Sequence, residues 1–354
     1  MRLTALTCFL FAGSALSQTG TTVAPLSVLD ACHGDTMPMV VMSGMPYVTV
    51  KLESASGLFV VDWGSLDTVV DAKALLGPSF ALKPHQYGHK ANEAAYSSFS
   101  GLEFFGGGWN SIDTKVQDFS GVSIQDGSGA VQRQVGILRA DLIAHAFFTV
   151  DYKYGRLYRN ITSSYCSDDV LRREGFTAIS TAGYFADRDD RLNDTSVFNI
   201  PTVPIRIGAV AGVAQLDSGF DDKGRHSILI NRAMLKALDD ADLKPTTSGL
   251  PETLTTCIGS TETITPYTIA AGTFFDVTGT SGKAVIHSAT YKIYLKDTPE
   301  NAKSCGGIGT WKIPAAQFGS TFLIDAGRTV YDPISSRIWL GNPLQRLVGC
   351  QQHF

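Results

Sequence analysis

Apolar and polar positions alternate with the two-residue period of a half-buried strand at Tyr47-Val48-Thr49-Val50-Lys51-Leu52. Past Gly57 the alternation gives way to Leu58-Phe59-Val60-Val61, a nearly continuous apolar run. Such a run suits a strand covered on both faces. It stops at Asp62-Trp63-Gly64-Ser65, and apolar character resumes at Thr68-Val69-Val70. The pattern predicts two buried strands with an aspartate and a glycine in the tight turn between them. A carboxylate placed there must be paired or hydrogen-bonded, because burying it alone is costly.

The same grammar returns later in the chain. Val203-Pro204-Ile205-Arg206-Ile207-Gly208 alternates, and Ala211-Gly212-Val213-Ala214-Gln215-Leu216 leads into Asp217-Ser218-Gly219-Phe220. Ser227-Ile228-Leu229-Ile230 resumes the apolar strand, and Asn231 reads as the N-cap of a helix over Arg232 to Leu238. Each half also holds an apolar-glycine element, Val135-Gly136-Ile137-Leu138 and Phe318-Gly319. Each then closes with a hairpin signature in which an aspartate leads an arginine by five positions: Asp151 and Arg156, Asp332 and Arg337. Order and content repeat together, which points to duplication of one unit.

With 354 residues, 44 % of them hydrophobic and 18 % charged, the chain has material for two packed domains. Its 35 glycines and frequent Val, Thr, Tyr and Phe favour short strands and turns over long helices. A net charge of −4 gives no reason to expect nucleic acid or an anionic membrane as partner. Met1-Arg2, an apolar run to Ala12, and small residues Ala15 and Ser17 read as a secretory signal over residues 1–17. That run is shorter than the roughly 20 apolar residues a membrane span requires, so no membrane anchor is expected. The mature chain is expected to divide into a lobe over residues 18–165, a connection over 166–198 and a lobe over 199–354. The connection carries the charged run Asp187 to Asp194, which reads as a solvated loop.

Export also frames the cysteines. Cys8 leaves with the signal, and Cys32, Cys166, Cys257, Cys305 and Cys350 remain, an odd number for an oxidising compartment. No metal site is expected, since no Cys or His spacing suits one, and the seven histidines are scattered. Asn160-Ile161-Thr162 and Asn193-Asp194-Thr195 are glycosylation sequons, each of which would mark a surface segment.

Two buried carboxylates brought together have a distinct chemistry. They cannot both ionise cheaply, so they share one proton, and the ionised member can activate water while the protonated member donates. On these residues the sequence resembles the pepsin-like aspartic proteases. The resemblance rests on Val60-Val61-Asp62-Trp63-Gly64-Ser65, Gln215-Leu216-Asp217-Ser218-Gly219, the two apolar-glycine elements and the two hairpins, and spans roughly Tyr47 to Leu340. It implies an all-β, bilobal fold with a cleft between two barrel-like lobes. It also implies a secreted monomeric endopeptidase acting on a peptide or protein substrate, with Asp62 and Asp217 as the catalytic dyad and no cofactor. Gly64, Ser65, Ser218 and Gly219 would support the dyad, and a bridge between Cys257 and Cys305 would lie in the second lobe. Cys32, Cys166 and Cys350 would then compete for one further bond. Only Gln18 to Pro46 precede the first matching strand, which leaves little chain for an inhibitory pro-segment.

Two positions depart from the family. Trp63 stands where a hydroxyl normally follows the first aspartate, and Phe220 where one normally follows the second glycine. They open the alternative of a catalytically weak or inactive relative whose cleft binds a peptide or protein. Tyr96, Phe105 and Trp109 are all candidates for the tyrosine that covers the family's cleft, and the sequence does not choose among them. A secreted β-sandwich lectin without a dyad is the third reading, and would keep the two carboxylates far apart.

Overall fold

The computed structural model describes residues 29, 31–64, 68–83, 96–105, 107–109, 112–120, 122–125, 129–143, 146–161, 165–181, 200–222, 225–255, 261–298 and 307–341. The expected signal, the charged run and sequon around Asn193, Ser65, and Cys257, Cys305 and Cys350 lie outside these. The fold is predominantly β, arranged in three sheets, and the longest described helix is Arg232–Asp240.

The first ten-stranded sheet is drawn from the earlier half of the chain, between Val40 and Leu138. In its strand Met45–Leu52 the side chains of Val48, Val50 and Leu52 are buried while Thr49 and Lys51 face solvent, as the alternation predicts. The strand Ala55–Val61 pairs with Met45–Leu52 on one edge and Val131–Leu138 on the other, and its successive side chains Phe59, Val60 and Val61, which alternate between faces, are all buried. The second ten-stranded sheet is drawn from the later half, between Thr202 and Phe318.

The repeat read from the sequence takes physical form in the pairings. Residues 58–61 run parallel to 134–138, and the far edge of that strand takes Val69–Val70 antiparallel. In the later sheet, residues 213–216 run parallel to Ala315–Phe318, whose far edge takes 228–230 antiparallel. The backbone N–H of Asp62 donates to Leu138 O at 2.9 Å, and that of Asp217 to Phe318 O at 3.0 Å. Asp71 and Asn231 hold matching places as well. Each follows the short returning strand, donates its N–H into the facing strand, and caps a helix by accepting from the backbone of Ala74 or Met234.

A six-stranded sheet joins the halves, in the order Asp35–Pro38, Arg156–Asn160, Phe147–Asp151, Arg328–Asp332, Arg337–Gly341, Phe176–Ser180. Both predicted hairpins form, with Asp151 opposite Arg156 and Asp332 opposite Arg337. They pair with each other edge to edge, Phe148 opposite Tyr331. Asp151 is fully buried at this seam and is met by Arg328 Nε at 2.8 Å. A buried carboxylate is tolerable only with such a partner.

Three expectations are refined. The segment after Tyr165 is structural as far as it is described. It forms a helix, Asp168–Arg173, capped by Ser167, and a strand, Phe176–Ser180, that edges the six-stranded sheet. Of the competing cysteines, Cys32 and Cys166 form the disulfide, with Cα atoms 4.8 Å apart. His33 lies beside them, but both thiols are committed to the bridge and leave no thiolate for a metal. Asn160 is not a surface residue. It is 7 % exposed, and its amide nitrogen, the atom a glycan would take, donates to Cys32 O at 2.9 Å. The asparagine of the sequon is the last residue of the strand Arg156–Asn160, and there burial overrides the surface expectation.

Candidate functional site

The two Asp-x-Gly turns meet where the ends of the parallel strand pairs face each other. Asp62 and Asp217 are 5 % and 8 % exposed, and each carboxylate sits against the glycine of the other's loop. Each carboxylate also accepts from its own loop, Gly64 N–H to Asp62 Oδ1 at 2.6 Å and Gly219 N–H to Asp217 Oδ1 at 2.8 Å. The glycines are required by proximity. A Cβ on Gly64 would stand 2.1 Å from Asp217 Cγ, and one on Gly219 would stand 2.6 Å from Asp62 Cγ. Neither leaves room for a methyl group, so each glycine admits the opposing carboxylate.

Ser218 ties the turns together. Its Oγ accepts from Trp63 N at 3.1 Å and donates to Val61 O at 2.8 Å. The indole of Trp63 cannot accept a hydrogen bond, so it cannot supply the reciprocal link to the other loop. It points instead into the body of the protein. Trp63 is wholly buried, stacks on Tyr331 at 3.8 Å between ring centroids and 5° between planes, and meets Phe148 edge-on at 5.5 Å. The bulk that stood out in the sequence therefore seats the first turn on the six-stranded sheet. Phe220 is likewise used in packing, against the cluster that contains Leu229, Tyr294 and Trp311, while its carbonyl accepts from Ser320 Oγ at 2.7 Å.

Two further side chains reach the pair. Arg139 Nε donates to Asp62 Oδ2 at 3.2 Å, and Gln317 Nε2 donates to Asp217 Oδ2. Every carboxylate oxygen thus has a protein donor. Sequence reasoning missed both residues, although each left a signal. Arg139 is a cation directly after the buried strand that ends at Leu138, and Gln317 is the polar side chain in the apolar run Ala315 to Phe318.

Burial, then the negative charge and hydrogen bond of Asp62, hold the pKa of Asp217 well above the ordinary aspartate range. The Gly219 N–H and the charge of Lys296 oppose this without cancelling it. Near the pair, burial first and the charge of Asp217 second raise Tyr152, and burial chiefly raises Tyr331, so both phenols stay neutral. Two carboxylates buried side by side favour holding one proton between them. Such a pair can offer one acid and one base.

The cleft-covering residue does not emerge from its three candidates. Tyr96 and Trp109 belong to the strands Tyr96–Phe99 and Gly107–Trp109. Phe105 turns a short hairpin, but its ring packs on Phe104 and Phe148 and lies under the Arg159 guanidinium at 4.8 Å. No family model matches the chain, and no curated protein matches it either.

Proposed function

We propose that the protein is a secreted aspartic endopeptidase of the pepsin-like kind. In this reading the two ten-stranded sheets are the cores of two lobes, and an extended peptide lies across the dyad in the cleft between them. The observation that carries it is the close approach of two buried carboxylates, Asp62 and Asp217, each seated over the other loop's glycine. Asp62 takes a proton from water as the water oxygen attacks the scissile carbonyl carbon. Asp217 gives its proton to the carbonyl oxygen, forming a gem-diol. Collapse of that intermediate breaks the C–N bond as Asp62 gives the proton it took from water to the leaving amine and one gem-diol hydroxyl returns a proton to Asp217, which restores the dyad. No cofactor enters these steps.

A second reading, a cleft that binds peptides without cutting them, is favoured by one observation: Arg139 and Gln317 already donate to one oxygen of each carboxylate. Purified protein separates the two. On the first reading it cleaves a denatured protein at acidic pH, and a statine-type transition-state mimic stops the cleavage. Binding of the mimic without cleavage supports the second reading, and neither cleavage nor binding at any acidic pH removes the first.

A further inference from the structure

We infer that one buried water joins Trp63 Nε1, the Tyr331 hydroxyl and Ser218 Oγ, and so completes the link between the two Asp-x-Gly turns. The inference deepens the dyad reading above, since it makes Trp63 and Tyr331 positioning residues for the two carboxylates.

Four buried polar groups where the halves join have no direct hydrogen-bond partner among the described residues. They are Trp63 Nε1 and the hydroxyls of Tyr331, Thr329 and Tyr152. The three hydroxyls share one sheet face. Phe148 stands opposite Tyr331 and Val150 opposite Thr329, and strand alternation puts these four side chains on one side. The pairing continues one step further, where Tyr152 N–H donates to Gly327 O at 3.0 Å and carries Tyr152 to the same side. Trp63 reaches that face from the first turn and stacks on Tyr331. Polar groups shut away from solvent are costly when unpaired, and protein interiors meet most of them with protein atoms or ordered water.

The stack decides which of these groups one water can serve. Ring centroids 3.8 Å apart and planes 5° from parallel keep the indole N–H and the phenol oxygen within a few ångströms of each other. Ser218 is the third partner. Its Oγ accepts from Trp63 N and donates to Val61 O, which leaves one of its two lone pairs unused. It also lies near enough to the Tyr331 phenol to oppose part of the pKa rise that burial causes. A water that accepts from the indole and donates to Ser218 Oγ and the phenol oxygen has three partners, the usual number for a buried water. The indole cannot accept a hydrogen bond, but through this water its N–H reaches the second turn. Both turns then take their spacing from Tyr331 on the six-stranded sheet.

The test uses Tyr331→Phe and Trp63→Phe, singly and together, because each keeps an aromatic ring in the stack and removes one polar atom. A crystal structure of the wild-type protein should show one ordered water within hydrogen-bond reach of all three atoms. Tyr331→Phe should lower the melting temperature by about 2 °C. On a peptide substrate it should lower kcat about 10-fold with KM unchanged. Made on top of Trp63→Phe, it should have much less effect than in wild type. An unpaired hydroxyl predicts the opposite sign, since its removal would leave the melting temperature unchanged or raise it. That result overturns the inference, as do strictly additive effects or a direct bond from Tyr331 to Ser218 with no water beside the indole. A lower melting temperature with kcat unchanged overturns the positioning role. A wild-type protein that neither cleaves nor binds a statine-type mimic ends the dyad reading, while the crystal structure and the melting cycle still decide the water.

Discussion

Asp217→Asn is expected to fold and to lose cleavage by at least ~10³-fold, and Asp62→Asn likewise. Asparagine preserves the shape and most of the hydrogen bonding at either position but cannot pass a proton. The two effects should not add, since either change removes the same acid–base unit. Stability should move in the opposite sense, and the direction of the pKa shift fixes where. Asp217 is raised in the folded protein, so the unfolded chain releases its proton at lower pH than the native one. Below the unfolded pKa the group is protonated in both states and contributes nothing. As pH rises through the gap between the two pKa values, unfolding becomes progressively easier for wild type. The melting temperature of Asp217→Asn should therefore match wild type under strongly acidic conditions and exceed it near neutrality. Equal melting temperatures across that range would mean that Asp217 titrates as an ordinary surface aspartate.

The second large effect is on stability. Trp63→Ala should cost about 3–5 kcal/mol, the usual range for emptying a buried aromatic site. The indole is fully buried, stacks on Tyr331 and abuts Phe148, and all three sit where the halves join. A fall in the denaturant midpoint at constant slope would report it. Trp63→Thr is the sharper comparison. It introduces the hydroxyl that the resemblance leads one to expect, yet it should also destabilise, because the space above Tyr331 is left empty. A threonine variant as stable as wild type would show that the stacking contributes little.

Much of this arrangement was legible because its signals are local. Continuous apolar runs such as Leu58 to Val61 became strands covered on both faces, and the repeated Asp-x-Gly turns became the meeting point of the two halves. Asn231 read correctly as a cap because a side-chain acceptor ahead of a helix acts within one turn. What escaped depends on contacts between distant segments. Cys32 and Cys166 are 134 positions apart, and nothing in their spacing foretells it. They meet because Asp35–Pro38 pairs with Arg156–Asn160 and carries both flanks into register. Asn160 was misplaced for the same reason, since its sequon is local and its burial is not. Trp63 was conspicuous by bulk, but only the paired hairpins provide the aromatic floor that receives it. Arg139 and Gln317 were visible as polar intrusions at buried strands, with no indication that each would reach a carboxylate.

Acid–base work by the dyad requires one shared proton, and carboxyl ¹³C signals of labelled aspartates report it most directly. Asp62 and Asp217, assigned through their asparagine variants, should titrate in two separated steps. Each signal should respond to both steps, and replacing either residue should collapse the pattern to one. Two independent transitions, each in the ordinary aspartate range and each indifferent to replacement of the other residue, would contradict it.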